Sequence, residues 1–88
     1  MDTTITDYID YCLLCGTPTY NDIHHCLSGS DRKHADEDGL VIPVCRKCHT
    51  FIHNHPQALV MSKIIGQLAY EREHTRDEFR ARYRHSYL

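Results

Sequence analysis

Two interleaved sets of chelating side chains lie between Cys12 and His53: the thiols of Cys12-x-x-Cys15 and Cys45-x-x-Cys48, and the imidazoles of His24-His25 and His49-x-x-x-His53. Zinc takes four soft or borderline donors at tetrahedral angles, and a C-x-x-C turn presents two sulfurs from one short loop. Two such turns complete a structural site and leave the imidazoles over. On a helix His49 and His53 share a face and can hold one ion together, but two ligands seldom suffice. The third is expected from His24 or His25. In an extended segment adjacent side chains point to opposite faces, so one of this pair reaches the ion while its neighbour remains a free base. The chemistry on offer is a Lewis acid beside an imidazole that accepts a proton near pH 7.

Other readings of these residues are weaker. A redox role for either C-x-x-C would call for a βαβ pattern, and none is visible. Cys26 stands outside both pairs and reads as a small buried hydrophobe. His34, His55, His74 and His85 read as ordinary surface or core groups, and His55, immediately before Pro56, is poorly placed to replace His53. A purely structural zinc domain with four cysteines needs none of the clustered histidines, which points to a functional role for that set.

The chain has 88 residues, enough for one domain whose small core gains much from a structural metal. Zinc binding by thiolates contributes about 10 to 16 kcal/mol, comparable to or larger than the stability of a small domain, so the metal-free chain should be largely unfolded. Paired C-x-x-C units, an odd fifth cysteine and the lack of a signal peptide argue for reduced thiols and a cytoplasmic protein. The longest apolar runs, around Leu40 to Cys45 and Ala58 to Met61, fall short of the ~18 residues that span a bilayer, so no membrane partner is expected. A net charge of −2 gives no reason by itself to expect nucleic acid. The charge is split along the chain: residues 1–38 hold eight acids against two Lys/Arg, and residues 72–88 hold five arginines against three acids. The C-terminal end is the better place for phosphate contact, unless its arginines pair within helices.

The elements that must position these ligands follow from local signals. Residues 1–10 are either a frayed tail or a short element laid on the core. Cys12-Leu13-Leu14-Cys15-Gly16 reads as a knuckle turn, with glycine letting the backbone reverse. Strand-like residues run from Thr19 to His25. Ser28 to Gly39 is polar, without apolar periodicity, and reads as a loop. Leu40 to Val44 predicts a short strand whose Pro43 suits an edge or a bulge. A short helix over Arg46 to Asn54 carries Cys48, His49 and His53 and is ended by Pro56. Apolar residues at 58, 61, 64, 65 and 68 predict a helix over Gln57 to Tyr70. Thr75-Arg76-Asp77-Glu78 has the form of a capping box, so a third helix starts there and packs Phe79 and Tyr83 inward, or else the last two helices are one.

Taken together, C-L-L-C-G, D-I-H-H, L-V-I-P-V-C-R-K-C-H and F-I-H, covering about Tyr11 to His55, resemble the HNH endonucleases of the zinc-containing kind, in which a ββα-metal (His-Me finger) motif is built into a treble-clef scaffold. The ending D-E-F-R-A-R-Y-R-H-S-Y-L is similar to that of small HNH proteins encoded by bacteriophages. The resemblance implies a single zinc-stabilised α+β domain over residues 1–88: an N-terminal tail or short element at 1–10, a zinc and ββα-metal core at 11–55, and one or two helices at 56–88. It implies that His25 is the general base, that His24, His49 and His53 hold a catalytic divalent ion, and that Asp22 is an alternative or supporting partner. The family's middle asparagine, which orients the base, has no counterpart, because Asp38-Gly39-Leu40 puts glycine in its place. Either a backbone carbonyl or Asp38 takes over that role, or activity is low.

The activity so implied is hydrolysis of DNA phosphodiester bonds, leaving 5′-phosphate and 3′-hydroxyl ends. Besides the structural zinc at Cys12, Cys15, Cys45 and Cys48, the histidine site would accept zinc, nickel, manganese or magnesium, with magnesium the poorer match to nitrogen donors. Arg46, Lys47, Arg80, Arg82 and Arg84 are the residues expected to touch the DNA backbone, giving salt-sensitive and mostly sequence-independent binding. A phage-infected bacterial cytoplasm, packaging or recombination proteins as partners, and a homodimer to cut both strands are expectations of the same resemblance. The competing expectation is a noncatalytic treble-clef module that binds DNA or a protein, with zinc as scaffold only.

Overall fold

The computed structural model describes residues 3–19 and 22–88. Strands β1 (Ile23–His25) and β2 (Val41–Pro43) pair antiparallel, with Ile23 opposite Pro43, His24 opposite Ile42 and His25 opposite Val41. Among the described residues the sheet has only these two strands, so each has an open edge and Pro43 is tolerated without its N–H. The strand expected from Thr19 is thus shorter. Tyr20 and Asn21 lie outside the described residues, and Thr19 is instead buried with its hydroxyl donated to the Val44 carbonyl at 3.1 Å.

The segment between the strands is not the loop its polarity suggests. A 3-10 turn, Gly29–Asp31, leads into helix α1 (Arg32–Asp38). Only Ala35 of α1 is buried, so a two-turn helix forms with no apolar periodicity to betray it. Its end is set by Gly39, which adopts the left-handed conformation (φ 70°) and donates its N–H to the carbonyls of Ala35 and Asp36. Leu40 then enters the core as β2 begins.

Helix α2 (Arg46–Asn54) starts at the strand-delivered Cys45, whose Sγ accepts from the Cys48 N–H at 3.4 Å, and stops before Pro56. Helices α3 (Pro56–Tyr70) and α4 (Arg76–Tyr83) are separate. The break is the expected capping box: Thr75 Oγ1 accepts from the Glu78 N–H at 3.1 Å, and Glu78 Oε1 accepts from the Thr75 N–H at 2.8 Å. Among the described residues the architecture is small α+β, a two-stranded sheet with four α-helices.

Helix α3 packs on a face other than the one its large apolar residues predict. Ser62, Gly66, Gln67 and Ala69 are buried, whereas Met61 and Leu68 are more than half exposed. Small side chains let the helix come close: a Cβ on Gly66 would lie 2.8 Å from Cys26 Cβ. Phe51, Met61 and Leu14 are left around a surface groove of about 330 Å³ between α2 and α3.

Two small cores result. One gathers Leu27, Ala35, Leu40, Ala69, Phe79 and Tyr83; the other Cys12, Cys26, Ile42, Val44 and Ile52. Ile5 packs against both, and Thr4 N–H donates to the Gly39 carbonyl at 2.9 Å, so residues 3–5 are laid on the core, the second of the two alternatives for the N-terminus. Among the described residues, no helix is long and apolar enough to cross a membrane.

Candidate metal centre and histidine site

The knuckle turn puts Cys12 and Cys15 on one side of β2. Cys12 N–H donates to the Thr17 carbonyl (2.8 Å), Gly16 N–H to the Cys12 carbonyl (2.9 Å), and Leu13 N–H to the Pro43 carbonyl (2.9 Å), with Gly16 at φ 78° making the reversal. Across from it, Cys45 and Cys48 stand at the N-terminal end of α2. The four sulfurs all lie within 4.8 Å of one another, and Cys15 Sγ is 3.7 Å from Cys45 Sγ. A tetrahedral shell with Zn–S near 2.3 Å has sulfurs about 3.8 Å apart, so the spacing is that of a metal-ready set.

The thiols also differ in acidity. Thr17, through its hydroxyl and N–H, brings Cys15 down to about 6. Burial pushes Cys12 upward, but N–H groups of Cys45, Cys15 and Leu14 outweigh it and leave the thiol below its ordinary value. Burial and the neighbouring sulfurs push Cys48 up to about 12, which is what four thiols crowded together must do without a cation to share their charge. Cys26 stays apart, packed under Gly66, and burial holds it near 12. It behaves as the hydrophobe expected.

On β1 the pleat separates the two histidines. His24 points inward and is 1% exposed. Its ring meets His49 at 5.4 Å and His53 at 5.2 Å between centroids, and the latter two are 4.9 Å apart. One ligand nitrogen from each lies within 4.8 Å of the others, so the three could hold an ion. The α-helical spacing of His49 and His53 and the inward side of β1 are what bring them together. Burial first, and then the charges of His49, His53 and His25, pull His24 down to about 4. Burial and His53 likewise lower His49, against the upward pull of Asp22. His24 and His49 are therefore biased to the neutral form that offers a lone pair.

Two side chains stand against the rings. Ser62 Oγ donates to the Leu59 carbonyl (2.7 Å) and stands 2.9 Å from His24 Nε2. Its single hydrogen being committed, Ser62 accepts from Nε2–H, which leaves Nδ1 of His24 with the open lone pair. Asp22, mostly buried, lies 3.6 Å from His49 Nδ1 and 3.0 Å from Arg46 Nε, so it backs the histidine as the alternative of a supporting partner anticipates.

His25 lies on the other face of β1 from His24. Its Nε2 is 3.3 Å from Asp36 Oδ1 on α1. Asp38, the side chain expected to stand in for the missing asparagine, is engaged elsewhere: it accepts from Arg82 Nε (2.6 Å) and from the Tyr83 hydroxyl. Burial and this carboxylate hold the Tyr83 phenol far above its ordinary value. Sequence reasoning missed both Asp36 and Ser62. A carboxylate facing His25 could have been found only by recognising α1, and Ser62 only by knowing that the small residues of α3 face inward.

The basic residues expected on a DNA surface are divided. Arg46 is paired with Asp22, Arg82 with Asp38 and Glu37 (3.0 Å), and Arg84 with Asp31 (3.5 Å). Lys47 and Arg80 are exposed and enter no ion pair among the described residues. Comparison with protein-family models, with curated proteins and with solved structures finds no match for this chain.

Proposed function

We propose that this chain is a metal-dependent endonuclease that hydrolyses DNA phosphodiester bonds, with a ββα-metal arrangement of β1, β2 and α2 carried on a treble-clef-like zinc scaffold. The observation that carries the reading is the split of one dipeptide. His24, buried, turns toward His49 and His53, while His25, its neighbour, faces a carboxylate at the mouth of a cleft. A structural domain has no use for either half.

His24, His49 and His53 would hold a divalent cation, with zinc, nickel and manganese better matched to three neutral nitrogens than magnesium. When bound, that cation would supply Lewis acidity to the scissile phosphate and its leaving oxygen. His25 takes the proton from water. With Nε2–H donated to Asp36, the basic lone pair is on Nδ1, and the carboxylate stabilises the imidazolium formed. Asp36 thereby fills the orienting role left open by glycine at position 39. Ser62 holds the ring of His24, and the Asp22 carboxylate stands close to His49.

The test is nicking of supercoiled plasmid by the zinc-loaded chain across manganese, magnesium, nickel and zinc, beside His25→Ala. Loss of a general base should lower the rate about 10²- to 10⁴-fold while the fold and one zinc per chain are retained. Equal cleavage by the variant removes His25 from the mechanism. Inertness in every metal favours a noncatalytic zinc module, a reading that has in its support the intramolecular pairing of Arg46, Arg82 and Arg84.

A further inference from the structure

We propose that Arg32 and Lys33 form the phosphate-gripping wall of the cleft at His25, seating the DNA backbone beside the base; this deepens the nuclease reading and rests on it. The cleft has a volume of about 480 Å³ and is lined by His25, Gly29, Ser30, Arg32, Lys33 and Asp36. The turn before α1 and the first two turns of that helix thus place two cations on the wall that carries the partner of His25.

Neither cation is neutralised. Arg32 and Lys33 enter no ion pair among the described residues, in contrast to Arg46, Arg82 and Arg84. Asp36 stands four residues after Arg32 on the same helix, a spacing at which such a pair commonly forms, yet its carboxylate is turned to His25 instead. Two cations against one carboxylate leave the cleft with a net positive charge. Arg32 and Lys33 are both exposed, so both are free to reach a phosphate at the cleft.

The lining also indicates which part of a nucleic acid fits. Apart from the His25 imidazole it holds no aromatic ring, so nothing there stacks a base. Gly29 contributes no side chain, and the space a Cβ would occupy is open. Cationic donors around an open, unstacked cleft suit the phosphodiester backbone and carry no base readout. The sequence places this pair in the acidic half of the chain, away from the C-terminal arginines, and only the fold brings it to the base.

The experiment is fluorescence anisotropy of a labelled DNA duplex across a salt series, in a His25→Ala background so that the probe stays intact. Arg32→Gln, Lys33→Gln and the double variant are compared with Arg76→Gln, a cation already paired with Glu71. Taking one cation away from its phosphate should flatten the slope of log Kd against log salt by about one, and the double variant should flatten it by about two. In the otherwise unaltered chain the same substitutions should raise KM with kcat little changed. An unchanged slope in the double variant overturns the proposal while leaving the nuclease reading intact. A parent chain that does not bind DNA overturns both. A parent chain that binds through these cations but never cleaves sustains the cleft and removes the nuclease. Should Arg32→Gln misfold, Lys33→Gln decides alone.

Discussion

The cysteine centre and the histidine site each hold their donors within 4.8 Å of one another, yet they are built in opposite ways. The four cysteines come from two turns at the rim of the second core, each held by short-range backbone hydrogen bonds. The three histidines come from a strand and a helix, and the deepest, His24, is sealed under α3. Local turns can be rigid without a core, so the cysteines can organise the fold around a metal. The histidines depend on packing already achieved, which is what the proposed ion site would require. On the proposed reading, one centre would make the structure and the other would use it.

The largest expected contrast is in stability. Cys45→Ser should cost most of the zinc contribution, about 10 to 16 kcal/mol, and leave the chain unfolded by circular dichroism. His53→Ala should keep both the fold and one zinc per chain. If both variants unfold, or neither does, the contrast between the centres is wrong.

Acid should affect the two centres differently as well. His24 titrates near 4 when folded, below the ordinary 6.5, so the unfolded chain binds a proton that the folded chain refuses. Its contribution to stability is complete above pH 6.5 and is lost as the pH falls toward 4. With zinc in the cysteine centre and no second ion added, denaturant unfolding of the unaltered chain should weaken across that window more than unfolding of His24→Gln. Parallel pH profiles would mean that burial does not hold His24 neutral.

Asp22→Asn tests the supporting shell. Removing a carboxylate behind a metal-binding imidazole typically costs about 10- to 100-fold in metal affinity. Titration with cobalt or nickel, followed spectroscopically on the zinc-loaded chain, should show that drop at the second site and none in zinc retention at the first.

The smallest effect is expected from Gly66→Ala. The added methyl would meet Cys26 Cβ at 2.8 Å and push α3 outward, an overpacking that costs about 1 to 3 kcal/mol. Since α3 carries Ser62, binding of the second ion should weaken while the cysteine centre keeps its zinc. Full retention of second-ion affinity would show that the approach of α3 is immaterial to the histidines.

Legibility in the sequence varies from residue to residue. The knuckle, α2 with its Cys48, His49 and His53, the capping box at Thr75 and the opposite facing of His24 and His25 can be read, because each depends on interactions within a few residues, whereas the sequence leaves open whether that box divides two helices and which histidine turns inward. Helix α1 cannot, since its single buried residue leaves no periodicity. The inward face of α3 is missed because large apolar residues outweigh small ones in any pattern, whereas close approach favours Ser62 and Gly66 over Met61 and Leu68.

Ligand type and spacing are properties of short segments, so the order of residues alone settles which side chains could chelate and which local turns and helices hold them in pairs. Tertiary packing was needed to select which pairs meet, to set Asp36 rather than Asp38 against His25, and to leave Arg32 and Lys33 unpaired beside it. Those outcomes depend on distant carboxylates and cations competing for partners. Asp38 is claimed by Arg82 and Tyr83, 44 and 45 residues away, and no local pattern records that competition.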